Sequence, residues 1–557
     1  GAGALILGSI AEVGGEYVVT GEVLQPPGGR TVVTETARAR GRDGILDALE
    51  AVTRKVRERL GEPLPAIEEN LVPLEKVTTA DLEALRAYSL GLEKIAEGAT
   101  DEAILLLERA VARDPQFAAA RAKLGIYYFF GRRDPEVALD HWDRALSLRD
   151  RLPERERLYV EGSKAWLGTP DEMVRAWSLM ANLYPDVTAG HHNLGYVHLS
   201  QNRFREAAAA FQRATETKDV LVFTSFHSLG RCQLALGHHE AALQSFETAG
   251  TLEENPLAGG LIDTLIVLER YGAARREIDE VARRPDPDVR FLVAVKRMDL
   301  ALEQGRFAEA LEEVASARPL VEGLPNDDRL ALVLDYAEAS IREALGESAG
   351  GRDPDRILDR ALEQLENALP LTISRQLPQT TLVGKLAARS GRLDVARRAL
   401  EAVEEHAAGR QVPLWQAYVA MLRGEIALAS GERTEALTHL RQATAGPSVF
   451  EAHESLARAL EANEDLTAAL AEWLWLSEHR GLAWAEWFDH GFGRQTRILA
   501  WNRADYHRGR LLETLGDPAA AAERYRAFLE RFETQEGTDP LLEEARRRLR
   551  TLPGSSD

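Results

Sequence analysis

Six times along the chain a glycine within a helix-like segment is followed 12 residues later by an alanine: Gly91/Ala103, Gly195/Ala207, Gly230/Ala242, Gly384/Ala396, Gly424/Ala436 and Gly509/Ala521. A glycine inside a helix costs about 1 kcal/mol relative to alanine. Its return in register therefore demands a packing reason, and close approach of two neighbouring helices supplies one. Four residues beyond each alanine stands a large side chain: Leu107, Phe211, Phe246, Leu400, Leu440 and Tyr525. In most cases a small residue follows three later, as Ala110, Ala214, Ala249 and Ala443.

This pattern resembles the tetratricopeptide (TPR) repeat, a helix-turn-helix unit of about 34 residues. The resemblance implies an all-α TPR superhelix, an α-solenoid, of about eleven or twelve helical pairs. A chain of 557 residues exceeds what one hydrophobic core serves, which agrees with a repeat array. Hydrophobic residues at 45% and charged residues at 28% are ordinary for a folded globular chain.

The first sixty residues read differently. Ala4 to Val13, Glu16 to Leu24 and Arg30 to Ala39 are short, partly alternating and rich in Val, Ile and Thr, and glycine and proline clusters separate them. They predict a three-stranded meander. Asp43 is a suitable N-cap for a helix carrying Ile45, Leu46, Leu49, Val52, Val56 and Leu60 at helical spacing, ended by Gly61 and Pro63. The expected organisation is a small α/β domain over 1–61 that reads as truncated, a proline-bearing linker over 62–81, and a first repeat array over 82–345. A glycine-rich loop over 346–355 and a second array over 356–557 follow, with Pro540 to Leu552 as capping helix. One extra residue is expected in the turn Arg132-Arg133-Asp134-Pro135, and residues 258–345 match the small positions poorly apart from Gly305, Ala310 and Ala317.

The segment from Pro73 through Thr79, Asp81 and Tyr88 to Gly91, preceded by Gly3 to Ile10 and Tyr17-Val18-Val19, resembles the corresponding part of bacterial membrane-anchored serine/threonine protein kinases. Class III nucleotide cyclases and winged-helix TPR receptors share it. The resemblance covers roughly the first 220 residues. It implies a C-terminal sensory region, on the extracytoplasmic (periplasmic) side of the membrane with the cytoplasm as the alternative, and an enzyme domain upstream. Asp81 stands where that family usually has serine; either residue caps a helix.

No catalytic set assembles. The glycine-rich loop, Val-Ala-Ile-Lys, His-Arg-Asp and Asp-Phe-Gly motifs of a kinase do not occur, and Gly259-Gly260 and Gly350-Gly351 lack a following Lys-Ser/Thr and read as loops. No cofactor and no metal are expected. His191-His192 and His238-His239 are adjacent pairs, which point about 100° apart on a helix and chelate poorly. His191 is expected to pack between helices, and His238-His239 to lie in a solvated turn. The single cysteine, Cys232, excludes an internal disulfide.

The 89 acidic against 68 basic residues give a formal charge of −21, which repels phosphate backbones and argues against nucleic acid as partner. No apolar run of about 18 residues occurs, so membrane contact by the chain itself is not expected. The most distinctive local composition is aromatic: Trp473, Trp475, Trp484, Trp487, Phe488, Phe492 and Trp501, interleaved with His479, His490 and Arg494. Two readings stand. Trp473 fills a repeat position and the rest plug an irregular loop, or Trp473, Trp475, Trp484, Trp487, Phe488, His490, Phe492 and Arg494 line a ligand or peptide site. The leading expectation is a non-catalytic interaction or sensory domain holding a protein or peptide in a concave groove. A free-standing scaffold, assembly factor or co-chaperone is the alternative, and a homodimer is compatible with either.

Overall fold

The computed structural model describes residues 5–25, 29–62, 78–217, 222–252, 259–284, 286–322, 324, 327–346, 354–368, 374–485, 491–533 and 539–552. Most of the expected linker, most of the glycine-rich loop including Gly350-Gly351, and Trp487, Phe488 and His490 lie outside the described residues. The chain forms two compact units, Gly1–Ala165 and Trp166–Asp557.

The first unit opens with β1 (Leu5–Val13), β2 (Glu16–Gln25) and β3 (Arg30–Arg40), paired antiparallel in that order. Gly14 and Gly15 both take positive φ, 63° and 83°, as a two-residue hairpin turn requires. Helix α1 (Ile45–Arg59) packs on β2 and β3, where its Val52 and Val56 meet Val19 and Val23. Gly21 marks the closest approach: a Cβ there would stand 2.7 Å from Val52 Cγ1. The residue at the N-cap is Gly44 rather than Asp43, because a single 3-10 turn, Arg42–Gly44, precedes the helix and shifts its start.

The helices that follow in the first unit are α2 (Leu82–Ala96), α3 (Thr100–Arg113), α4 (Ala118–Tyr127), α5 (Pro135–Ser147) and α6 (Glu154–Ala165). Asp81 caps α2, accepting from the amides of Glu83 and Ala84 at 2.9 and 3.0 Å. The second unit continues with α7 (Pro170–Leu183), α8 (Thr188–Ser200), α9 (Phe204–Thr215), α10 (Val222–Ala235), α11 (His239–Leu252), α12 (Gly259–Val267), α13 (Tyr271–Val281), α14 (Pro287–Glu303), α15 (Phe307–Val321) and α16 (Asp327–Ala344). After these come α17 (Pro354–Glu366), α18 (Gln376–Arg389), α19 (Leu393–Ala407), α20 (Pro413–Ala429), α21 (Arg433–Thr444), α22 (Phe450–Ala462) and α23 (Leu466–Glu478). The chain ends with α24 (Arg480–Ala485), α25 (Arg494–Thr514), α26 (Pro518–Glu533) and α27 (Leu541–Thr551). This is an all-α, TPR-like solenoid preceded by a small three-stranded region.

The glycine and large positions turn out to be partners. A Cβ on Gly91 would stand 3.1 Å from Leu107, on Gly195 2.8 Å from Phe211, on Gly230 3.0 Å from Phe246, on Gly424 2.5 Å from Leu440 and on Gly509 2.9 Å from Tyr525. The missing side chain on the first helix thus receives the large one from the second. The six alanines, Ala103, Ala207, Ala242, Ala396, Ala436 and Ala521, are fully buried. Gly125 faces Trp142, one residue further along than the other pairs. A π-turn over Tyr128–Arg132, followed by Arg133 at φ 55°, absorbs the extra residue.

Gly384 departs from the other pairs: it meets Ala399 and Leu422 rather than Leu400, because α18 packs against α20 as well as α19. Gly259-Gly260 is not a loop; it forms the first turn of α12, where Gly260 leaves room for the Phe246 ring. Residues 259–344 are helical pairs despite their poor match, and Ala310 and Ala317 are buried in them. The terminal helix α27 buries Leu542 and Ala545 against the last pair.

Candidate functional site

A regular stack touches only its neighbours. The second unit does more, because the segment from α24 into α25 returns to helices far behind it. Helix α24 packs on α10 and α12, and α25 packs on α14, α16 and α22. Two glycines permit this path. Gly481 lies so close to the Leu234 carbonyl that a Cβ has no room, and Gly493 takes φ +76° at the start of α25.

The returning segment is held by buried charge. Arg480 bonds Glu303 across 177 residues and reaches Glu269 at 2.8 Å. Arg494 donates to Asp299 at 2.8 Å and lies 3.2 Å from Asp263, which also takes Lys296 at 2.5 Å. Asn502 donates to the Leu302 carbonyl at 3.0 Å. Arg497 has no exposed surface; its Nη1 donates to Glu451 and its Nε to the Ala483 carbonyl, at 2.8 and 2.9 Å. Breaking one partner of such a pair leaves an uncompensated charge in the interior, so the closure depends on each of them.

The predicted aromatic residues separate into two places. Phe492 is fully buried and stacks on Tyr336 with centroids 4.5 Å apart, and Trp484 is buried beneath Arg494, whose guanidinium is 5.5 Å from its ring centroid. Trp501 is clamped between Arg480 and Arg531, at 4.1 and 4.3 Å. These side chains fill the closure. Trp475 is half-buried between His453 and His479, with centroids 3.6 and 4.0 Å away. Trp473 occupies the large position after Ala469, is buried, donates to Glu461 at 2.6 Å, and stacks flat on His507 at 4.1 Å.

That Trp473–His507 stack forms part of a cleft of about 620 Å³ bounded by α16, α22 and α25. Arg503, His507 and Arg510 share one face of α25 at helical spacing, and Glu454, Arg458 and Glu461 share one face of α22. Behind them Arg389 bridges Glu425 and Glu454, and Lys385 donates to Glu454 at 2.8 Å. Burial acts to raise Glu454, but Arg389, Lys385 and Arg458 outweigh it and hold its carboxyl well below the usual range. Burial, with Arg510, Arg503 and Arg458 close by, pushes His507 down to about 3. These cleft residues carried a legible signal, two i, i+4, i+7 rows, one of alternating charge and one basic, which the aromatic run obscured.

Of the histidine pairs, the side chain between helices is that of His192, not His191. His192 meets the Phe211 ring edge-on and its Nδ1 lies 2.9 Å from Ser225 Oγ, whereas His191 reaches the Pro185 carbonyl near the surface. His238 is exposed and His239 is the first residue of α11. Among the described residues no group of three or more His, Cys, Asp or Glu is placed to hold a metal ion, and no helix is long and apolar enough to cross a membrane.

Residues 192–256 and 421–476 match the tetratricopeptide repeat family. No curated protein matches the chain. Among solved structures, the chain is similar to MamA at 21% identity, over 31% of this chain and 92% of that one, with a TM-score of 0.23. A tetratricopeptide repeat protein from Parabacteroides merdae ATCC 43184 is 16% identical over 45% of this chain and 98% of its own, with a TM-score of 0.32. PilW, a widely conserved type IV pilus biogenesis factor, is 16% identical over the same shares, with a TM-score of 0.28.

Proposed function

We propose that this chain is a non-catalytic TPR scaffold that docks a protein or peptide partner, as a free-standing assembly factor or co-chaperone does. The observation that carries the reading is the repeated seating of a large side chain in a glycine notch, from Gly91/Leu107 to Gly509/Tyr525, which builds a stack of helix pairs and leaves the first helices free to present side chains. In the first unit two of those first-helix segments present exposed apolar side chains, Leu90 on α2 and Phe130 just beyond α4. Selection of a displayed peptide library against the full chain tests this. Enriched sequences should bind wild type and lose affinity in Leu90→Asp or Phe130→Asp; enrichment of no sequence, or binding indifferent to both substitutions, overturns it.

The stretch Pro73 to Gly91 favours a second reading, in which the same scaffold is the sensory part of a membrane-anchored serine/threonine kinase and lies on the extracytoplasmic side. The encoded sequence upstream of Gly1 separates the two: a membrane span and a kinase or cyclase domain support the second, and their absence there leaves the first.

A further inference from the structure

We propose that the cleft between α22 and α25 is a binding site for a small anion of the phosphate class, a function separate from partner docking and independent of it. Three arginines and one imidazole converge there, and their commitments differ. Arg503 is tied by Nε to Asp539 at 2.8 Å and by Nη2 to the Ala344 carbonyl at 2.9 Å. Arg510 is tied through one nitrogen to Glu461, which also accepts from Trp473. Arg458 is different. Its guanidinium stands 3.7 Å from Glu454, beyond hydrogen-bond length, because Arg389 and Lys385 already fill that carboxylate. Its side chain is 41% exposed and makes no hydrogen bond among the described residues, so its N–H donors are open to a ligand.

His507 lies at the centre of this arrangement. Its buried Nδ1 has no hydrogen-bond partner among the described residues and sits 4.0 Å from Glu461, and its ring is fixed by the Trp473 stack. Burial first, and the charges of Arg510, Arg503 and Arg458 after it, disfavour its protonated form. A phosphate group seated there takes charge-assisted hydrogen bonds from Arg458 and from the free nitrogens of Arg503 and Arg510. It also offsets the arginines' share of the depression of His507, so binding favours the protonated ring. The volume is that of a small-ligand site. One lining acid, Glu343, forms no ion pair among the described residues and faces the same cleft, which selects a single compact anionic group over a polyanion.

Calorimetric titration of the full chain with inorganic phosphate, phosphoserine and acetate tests the proposal, with the His507 ring followed by NMR. Saturable phosphate binding is expected, weakened about tenfold or more in Arg458→Gln. The His507 titration should move upward on phosphate addition in wild type and much less in the variant. Phosphoserine binding as tightly as phosphate points to a phosphoester ligand, and phosphate alone points to the free ion. Acetate binding as well as phosphate, no saturable binding of any probe, or binding unaltered by Arg458→Gln with His507 unmoved overturns the assignment. Arg458 is exposed at the rim, and Arg458→Lys, which keeps the charge but loses the fork, is expected to retain part of the affinity while confirming an intact fold.

Discussion

Helices α8–α11 and the closure formed by α12, α14, α24 and α25 are built from the same kind of element, yet their interiors obey opposite rules. In the first region a ring enters a glycine notch, as Phe211 does at Gly195 and Phe246 at Gly230. In the second, buried arginines meet buried carboxylates, as Arg494 meets Asp299 and Arg480 meets Glu303. A glycine notch is local: its partner lies one turn of chain away, and the cost of failure stays with one pair. A buried ion pair across 195 residues joins distant repeats, and it is stable only while both members and their extra hydrogen bonds are present.

The sharpest way to break this contrast is to remove one carboxylate from the closure. Glu451→Ala leaves Arg497, which has no exposed surface, without its anion and should cost about 3–5 kcal/mol in denaturant unfolding. A loss within the range of ordinary surface changes would show that the closure does not depend on its charges.

A smaller effect is expected in the regular repeats. Gly424→Val forces a branched side chain against Leu440, whose Cγ lies 2.5 Å from where a Cβ would stand, and should destabilise by about 1–3 kcal/mol. Leu440→Ala introduced with it should recover part of the loss, since it vacates the clashing volume. Failure of that recovery in a double-mutant cycle would mean the notch and the large residue are not partners in solution.

The smallest effect distinguishes a neutral buried histidine from a charged one. Burial pushes His192 down to about 4, so as pH falls below 6.5 the unfolded chain binds the proton first. Its contribution to stability is complete above about pH 7 and is lost progressively toward pH 4. Between about pH 7.5 and about pH 5, His192→Gln should therefore lose less stability than wild type, by on the order of 1 kcal/mol. An equal loss in both would show that His192 titrates alike in the folded and unfolded chain.

The β meander, its order and the helix over it were legible, because glycine pairs and alternating Val and Thr are local signals. The start of α1 was not, since a 3-10 turn moved the cap from Asp43 to Gly44. Helices over residues 259–344 were visible as helices but not as repeats, because 12 residues before the buried Ala274 and Ala310 stand Ile262 and Met298 where the other repeats have glycine. The aromatic run was legible as unusual composition, yet neither its division between closure and cleft nor the burial of Trp484 and Phe492 could be read from spacing.

The sequence by itself determined the repeat architecture, because a glycine and the large side chain it admits recur at a fixed separation along one chain. Only the tertiary structure decided that α24 and α25 fold back on α10 through α16, and that Arg458, Arg503, His507 and Arg510 face one cleft. The reason is physical. Neighbouring helices are related by chain geometry, which leaves a period in the sequence, whereas an ion pair between distant helices constrains only two charges and leaves none.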